Sequence, residues 1–354
     1  MRSKNLITFA EAINNALKAS MLKNKKVLLV GLGVNDPKKI FGTTRNLNAK
    51  LIKNRIFDMP TAENSMMGIS IGLAIQGFRP IISHQRVEFS LLAMEQIINQ
   101  AAKWSYMFAG KMMVPIVIRL IIGKGWGQGP QHSQSLESIF AHIPGLKVIC
   151  PSNAYDAKGL LLSSIDDNNP VIFFEHRWLH QTKNFVPKKN YKIPLGKAKV
   201  VTKGKSLTIV SSSLMTHEIL SLKKILNDSK IYPEIIDLRS LRPLDKNSII
   251  KSVKKTKGLL VLDNGWIKYG ISAEIISLVL ENLKTKLKSP PVRLGLNDSP
   301  IPSSRSLARY SYVDKEKILM TISKITKTKI NLKRLKKLKL NETDVPDDKF
   351  DGPF

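Results

Sequence analysis

The chain has 354 residues, 43% of them hydrophobic, which is enough to form the cores of two α/β domains of ordinary size. Its net charge of +30 comes mostly from lysines spread through nearly every segment, with no nucleic-acid-binding motif beside them. The charge therefore reads as solvated helix faces, and nucleic acid is not an expected partner. A single cysteine, Cys150, excludes an internal disulfide, no apolar run is long enough to span a bilayer, and nothing near Met1 reads as a signal peptide, so the expected setting is a reducing cytoplasm without membrane contact.

Residues 9–21 repeat their apolar positions at helical spacing, and residues 26–30 form a strand-like run that ends at Gly31. A helix is expected after Pro60, with Thr61 as its cap and Glu63 in the first turn, where a carboxylate suits the helix dipole. Residues 78–82 read as a strand, 91–107 as a helix, and 114–121 as a buried β-rich run. The glycine-rich segment 123–131 reads as a loop. Beyond it come a strand at 146–150, a helix at 154–164 and a strand at 171–175. Residues 181–194 lack periodicity and carry Lys, Asn and Pro, the composition of a linker. A second unit follows at 195–325, with strands expected at 206–211, 235–238 and 259–262 and helices at 217–226 and 271–283. Alternating strands and helices predict parallel sheets covered by helices in both units. Residues 326–354 form a tail that is first basic with interleaved leucines, then acidic. It could be a mobile extension or a docking arm for an acidic partner surface.

Three places could carry chemistry. Glu63 heads an apolar helix, Met66-Met67-Gly68-Ile69-Ser70-Ile71-Gly72, where a carboxylate could serve as an acid/base group or be an ordinary helix-start residue. Gly68 and Gly72 leave one face of that helix bare enough for a close neighbour. His132 stands where the glycine-rich loop enters a helix, a position that can present an imidazole to a substrate or simply satisfy a structural contact. His84, Gln85 and Arg86 follow a strand directly. In a parallel sheet that is the ligand-binding end, although a surface turn fits equally. No zinc-like ligand spacing, P-loop or nucleophile elbow is present.

Taken together, several stretches resemble one family closely. They include Phe57-Asp58-Met59-Pro60-Thr61-Ala62-Glu63, Gly77-Phe78-Arg79-Pro80-Ile81 and Pro130-Gln131-His132-Ser133-Gln134-Ser135. Pro144-Gly145-Leu146-Lys147-Val148, Asp167-Asn168-Asn169-Pro170-Val171 and Ile236-Asp237-Leu238-Arg239-Ser240-Leu241-Arg242-Pro243-Leu244-Asp245 complete the set. These resemble the β subunits of the dehydrogenase component of 2-oxo acid dehydrogenase complexes, of which pyruvate dehydrogenase is one.

The resemblance implies a transketolase-like pyrimidine-binding domain followed by a transketolase C-terminal α/β domain. It implies thiamine diphosphate as cofactor, with Glu63 at the family glutamate that hydrogen-bonds the aminopyrimidine ring and Phe89 at the aromatic position beside that ring. His132 falls at the family histidine on the substrate side. Ile116, Ser164, Ile165, Asp167 and Asn169 fall at a monovalent-cation site of some members, a potassium ion being the cation in view. The Gly-Asp-Gly motif that starts a magnesium–diphosphate site is absent from this chain. Magnesium ligands are therefore expected from an α subunit, in an α2β2 assembly, with a lipoyl acyltransferase as a further partner.

Two departures stand out. Gly31-Leu32-Gly33-Val34 replaces the acidic strand end common in the family, and His84-Gln85-Arg86 replaces an apolar stretch. The expected reaction is oxidative decarboxylation of a 2-oxo acid with acyl transfer to lipoyl. The departures keep open a non-oxidative thiamine-dependent ligase or transferase that acts on a polar or anionic substrate.

Overall fold

The computed structural model describes residues 5–35, 39–47, 50–124 and 127–337. Gly125, Trp126 and residues 338–354, which include most of the expected docking arm, lie outside them. Two sheets dominate. The larger has seven strands in the spatial order Ser240–Arg242, Lys147–Ile149, Val171–His176, Val117–Ile122, Arg79–His84, Val27–Gly31 and Ile56–Asp58. All its pairings are parallel except that of Ser240–Arg242. The strands Val27–Gly31, Val117–Ile122 and Val171–His176 are buried along their whole length, as a sheet covered on both faces requires.

The second sheet runs Val292–Leu296, Leu259–Trp266, Thr208–Ser211, Glu234–Asp237, Lys199–Thr202, with only the last strand antiparallel. Helices cover the sheets, among them Phe9–Lys23, whose Thr8–Glu11 capping box fixes its start, and Ala154–Asp166, which packs beside it. Two α/β units with largely parallel sheets follow, as the alternation of elements predicts.

The Ile236–Asp245 motif proves to be the seam between the two units. Its strand Ser240–Arg242 belongs to the first unit's sheet although its flanks belong to the second. Arg239 bridges to the fully buried Asp156 through Nε at 3.1 Å and Nη2 at 2.5 Å. Arg242 donates to the Ala141 carbonyl at 2.9 Å, and Asp245 caps the helix Lys246–Thr256. Each charged residue of the motif thus has a structural partner across or beside the seam.

Several local expectations need correction. The cap of the helix Glu63–Ile75 is Ala62, not Thr61, and it offers no side-chain cap, although Asn64 Oδ1 accepts from the Ser65 amide at 2.7 Å. The helix expected over 91–107 is instead a 3₁₀ segment Val87–Ala93, a π segment Gln96–Ala101 and a short α-helix Trp104–Met107. Ala102 N–H bonds to the Ile97 carbonyl at 3.0 Å, the i→i+5 closure that periodicity cannot reveal. The Ala102 carbonyl is also where Gly145 packs. A Cβ on Gly145 would sit 1.9 Å from that oxygen, and its φ of +99° suits glycine alone. The helix expected at 217–226 divides into Ser213–Ser221 and Lys223–Asp228. Within 181–194, Lys183–Phe185 forms an antiparallel pair with Leu6–Thr8, so this connection is partly tied down.

Candidate active site

The helix Glu63–Ile75 follows the edge strand Ile56–Asp58 and points its N-terminus toward the carboxyl ends of Val27–Gly31 and Arg79–His84. In open α/β sheets ligands bind at such strand ends. There, Leu32, Pro60, Glu63, Met66, Ser83, His84, Gln85 and Phe89 line one cleft. Four residues singled out in the sequence, Glu63, His84, Gln85 and Phe89, therefore line a common space. The two strands approach closely: a Cβ on Gly31 would stand 2.5 Å from the Ser83 carbonyl, so only glycine permits this spacing.

Glu63 is 7% exposed, and its carboxylate has no hydrogen-bond partner among the described residues. It is placed at the helix N-terminus, where the backbone dipole favours negative charge. His84 is also buried. Its Nε2 lacks a partner, and burial lowers its pKa to about 4, so the imidazole is neutral at physiological pH. Phe89 adds an apolar wall. A buried carboxylate, a neutral imidazole with an unused nitrogen and an aromatic face make a suitable lining for a flat heteroaromatic ring that carries hydrogen-bonding nitrogens.

Gln85 and Arg86 turn away from that role. Gln85 Nε2 donates to the Leu32 carbonyl at 3.2 Å, tying down the loop that replaces the family's acidic strand end. Arg86 is 7% exposed and donates through Nη1 to the His132 carbonyl at 3.0 Å and through Nη2 to Gln128. Its guanidinium is committed to the glycine-rich loop. His132 is half-exposed at the end of the short helix Gly129–His132, with its ring 5.8 Å from Phe89 in an edge-to-face arrangement. Its Nδ1 pairs with Glu88, a residue that sequence spacing gave no reason to select. Gly68 and Gly72 are on the exposed side of the Glu63 helix, and a Cβ at either would meet nothing within 4 Å.

The five residues of the expected cation site do come together, between the helix Ala154–Asp166 and the strand Val171–His176. Most of their acceptors already have donors. Arg79 Nη1 bonds to the carbonyls of Ile165 at 2.9 Å and Asp167 at 2.8 Å, the Ile116 carbonyl takes the Val171 amide, and Lys147 pairs with the Asp167 carboxylate. The Ser164 carbonyl accepts from the Asp167 amide at 3.3 Å, and Asn169 is bonded to Asp167 Oδ1. Two side-chain cations thus stand at the acceptors that a bound cation would use. Among the described residues no group of three His, Cys, Asp or Glu side chains could hold a metal ion.

The supporting layer beneath the cleft is a buried ionic network. Arg119, fully buried on the central strand Val117–Ile122, bonds to Glu175 at 2.5 and 3.0 Å, to Ser83 Oγ at 2.9 Å and to Thr43 Oγ1 at 2.9 Å. Burial pushes the Glu175 carboxyl up, but Arg119 and His180 outweigh it and hold the pKa at about 2.

Residues 5–182 match the transketolase pyrimidine-binding domain, and residues 196–318 match the transketolase C-terminal domain. The chain is 40% identical over 315 residues to the pyruvate dehydrogenase E1 component subunit beta of Porphyra purpurea, covering 89% of this chain and 95% of that one. It is 39% identical over 306 residues to the acetoin:2,6-dichlorophenolindophenol oxidoreductase subunit beta of Cupriavidus necator, covering 84% and 90%. A solved split gene transketolase, an inactive beta4 tetramer, superposes with a TM-score of 0.73 at 22% identity over 91% of this chain and 98% of that chain, a likeness of fold. No helix among the described residues is long and apolar enough to cross a membrane. With both domains matched in order and relatives aligned over nearly their full length, the chain belongs to the family of pyruvate dehydrogenase E1 β subunits.

Proposed function

We propose that this chain is the β subunit of a thiamine-diphosphate-dependent 2-oxo acid dehydrogenase that decarboxylates pyruvate or a close analogue and passes the acyl group to lipoyl. The observation that carries this proposal is the cleft lined together by the buried Glu63, by His84, whose imidazole is neutral with Nε2 unpartnered, and by Phe89. Thiamine diphosphate, when bound, supplies the carbon nucleophile for attack on the 2-oxo group. Glu63 holds a proton at the pyrimidine nitrogen, and Phe89 packs on the ring. His84 fills a remaining hydrogen-bonding position, and His132 handles protons on the substrate side.

The diphosphate end needs magnesium, which takes oxygen ligands including the phosphates themselves. This chain carries no Gly-Asp-Gly motif, so an α subunit supplies that half of the site. Leu91, Leu92, Tyr106 and Met107 stand exposed on the segments after Phe89, the kind of apolar surface that a protein partner covers. An α2β2 assembly in the cytoplasm, working with a lipoyl acyltransferase, fits these features. The commitment of Arg86 to the His132 loop leaves no free guanidinium from the 84–86 cluster for an anionic substrate, which favours a pyruvate-like one.

The test is an acylation assay. The complex with its α subunit is incubated with thiamine diphosphate, magnesium, pyruvate and a free lipoyl domain, and the lipoyl domain is weighed by mass spectrometry. The expected result is an acetyl adduct that depends on this chain. Joining of the two-carbon unit to an added aldehyde, with the lipoyl domain unmodified, would replace the dehydrogenase assignment with a ligase.

A further inference from the structure

Glu88 lies in the 3₁₀ segment Val87–Ala93, one residue before Phe89. Its side chain is 9% exposed, and Oε1 pairs with Nδ1 of His132, 44 positions away in the chain. Oε2 is buried with no hydrogen-bond partner among the described residues. A carboxylate oxygen accepts and does not donate, so the imidazole nitrogen that meets it must carry the proton. In the neutral ring this fixes the Nδ1–H tautomer and leaves the Nε2 lone pair directed away from Glu88. The ring is fixed from one segment on three sides: Glu88 at Nδ1, Phe89 against its face and Arg86 on its backbone carbonyl. The Arg86 guanidinium is also close enough to interact electrostatically with Glu88, so the buried carboxyl group has a cationic neighbour.

We infer that Glu88 is a positioning residue that makes Nε2 of His132 the proton acceptor and donor at the rim of the cofactor cleft. The inference rests on His132 acting on the substrate side, as proposed above. In the proposed acyl transfer the dithiolane S–S bond of lipoyl breaks, one sulfur taking the acyl group and the other needing a proton, so the disulfide is the oxidant. Nε2 takes up that proton from solvent and delivers it to the departing sulfur, and in the interval the imidazolium is balanced by the Glu88 carboxylate. Glu88 changes protonation in neither step. It sets the tautomer beforehand and stabilises the charge that forms, a division of roles known from carboxylate–histidine pairs in hydrolases.

The test is nitrogen NMR of the histidine rings in the full chain, with His132→Asn assigning the signal. The expected result is the Nδ1–H tautomer for His132 in the wild-type protein and a shift toward Nε2–H in Glu88→Leu. In the complex, Glu88→Gln should lower kcat by roughly 10²-fold or more while KM for the 2-oxo acid changes little, since a misplaced proton impairs chemistry rather than binding. An Nε2–H tautomer in the wild-type chain overturns the proposal without any variant having to fold. An unchanged tautomer in a folded Glu88→Leu does so as well. If His132→Asn keeps full turnover while the tautomer behaves as stated, the catalytic role of His132 fails and the positioning by Glu88 stands.

Discussion

Replacing Glu63 by glutamine should reduce turnover of the α–β complex by roughly 10²–10⁴-fold, the range over which positioned acid–base groups contribute. Glutamine keeps the size of the side chain and one hydrogen-bonding oxygen, and the first-turn amide that a side chain does satisfy, that of Ser65, bonds to Asn64 and not to Glu63. The fold should therefore tolerate the change, and secondary structure and assembly should be those of the wild type. What glutamine lacks is a transferable proton. The cleft holds no second carboxylate beside Glu63 that could supply one, since its remaining lining is Leu32, Pro60, Met66, Ser83, His84, Gln85 and Phe89. His84 cannot substitute as an acid, because burial holds its pKa at about 4 and it is already deprotonated at neutral pH. Steady-state turnover with saturating cofactor checks this, and wild-type turnover in Glu63→Gln would remove Glu63 from the chemistry.

The second large effect concerns stability. Arg119→Ala should cost about 3–5 kcal/mol, the usual consequence of stranding one member of a buried ion pair. Arg119 and Glu175 are both fully buried, and the guanidinium also serves Ser83 and Thr43, so three side chains lose a partner at once. His180 cannot take over: its Nε2 lies 3.4 Å from Glu175 Oε2 but outside hydrogen-bond geometry, and burial keeps the ring neutral with a pKa of about 4. Thermal unfolding should show the loss as a lowered midpoint. The double change Arg119→Met with Glu175→Leu should recover much of it, since apolar replacements of a buried pair are often neutral or stabilising. A single variant as stable as the wild type would mean that water or a backbone shift already solvates Glu175.

The sequence made the scaffold legible where apolar patterning and element length agree. Val27–Gly31, Val117–Ile122 and Val171–His176 are short, continuous apolar runs bounded by loop signals, and all three are central strands. Periodicity could not distinguish α from 3₁₀ or π geometry after Arg86. The Gly145 turn that packs on the Ala102 carbonyl at the end of the π segment comes from a part of the chain that local periodicity does not sample.

At the site, Glu63 and His132 stand out by their places at the start of an apolar helix and the end of a glycine-rich loop, the 84–86 cluster by its place at a strand end, and Phe89 only through the family resemblance. The structure separates that cluster's members: His84 faces the cleft, whereas Arg86 holds a loop. Glu88 escaped notice because nothing in Val87-Glu88-Phe89-Ser90 relates it to a histidine 44 residues later. Arg119 marked its strand in sequence only as a charge in an apolar run. Its partners Ser83, Glu175 and Thr43 come from separate parts of the chain, and only the parallel sheet order brings them to it.

The most direct measurement of the central claim, a cofactor site divided between two subunits, is a calorimetric titration of thiamine diphosphate in the presence of magnesium. It is performed on this chain alone and on its complex with the α subunit. The chain offers a pocket for the ring but no Gly-Asp-Gly motif for the diphosphate. Saturable, magnesium-dependent binding is predicted for the complex, with no comparable heat from the chain alone. Tight magnesium-dependent binding to the isolated chain would contradict the divided site.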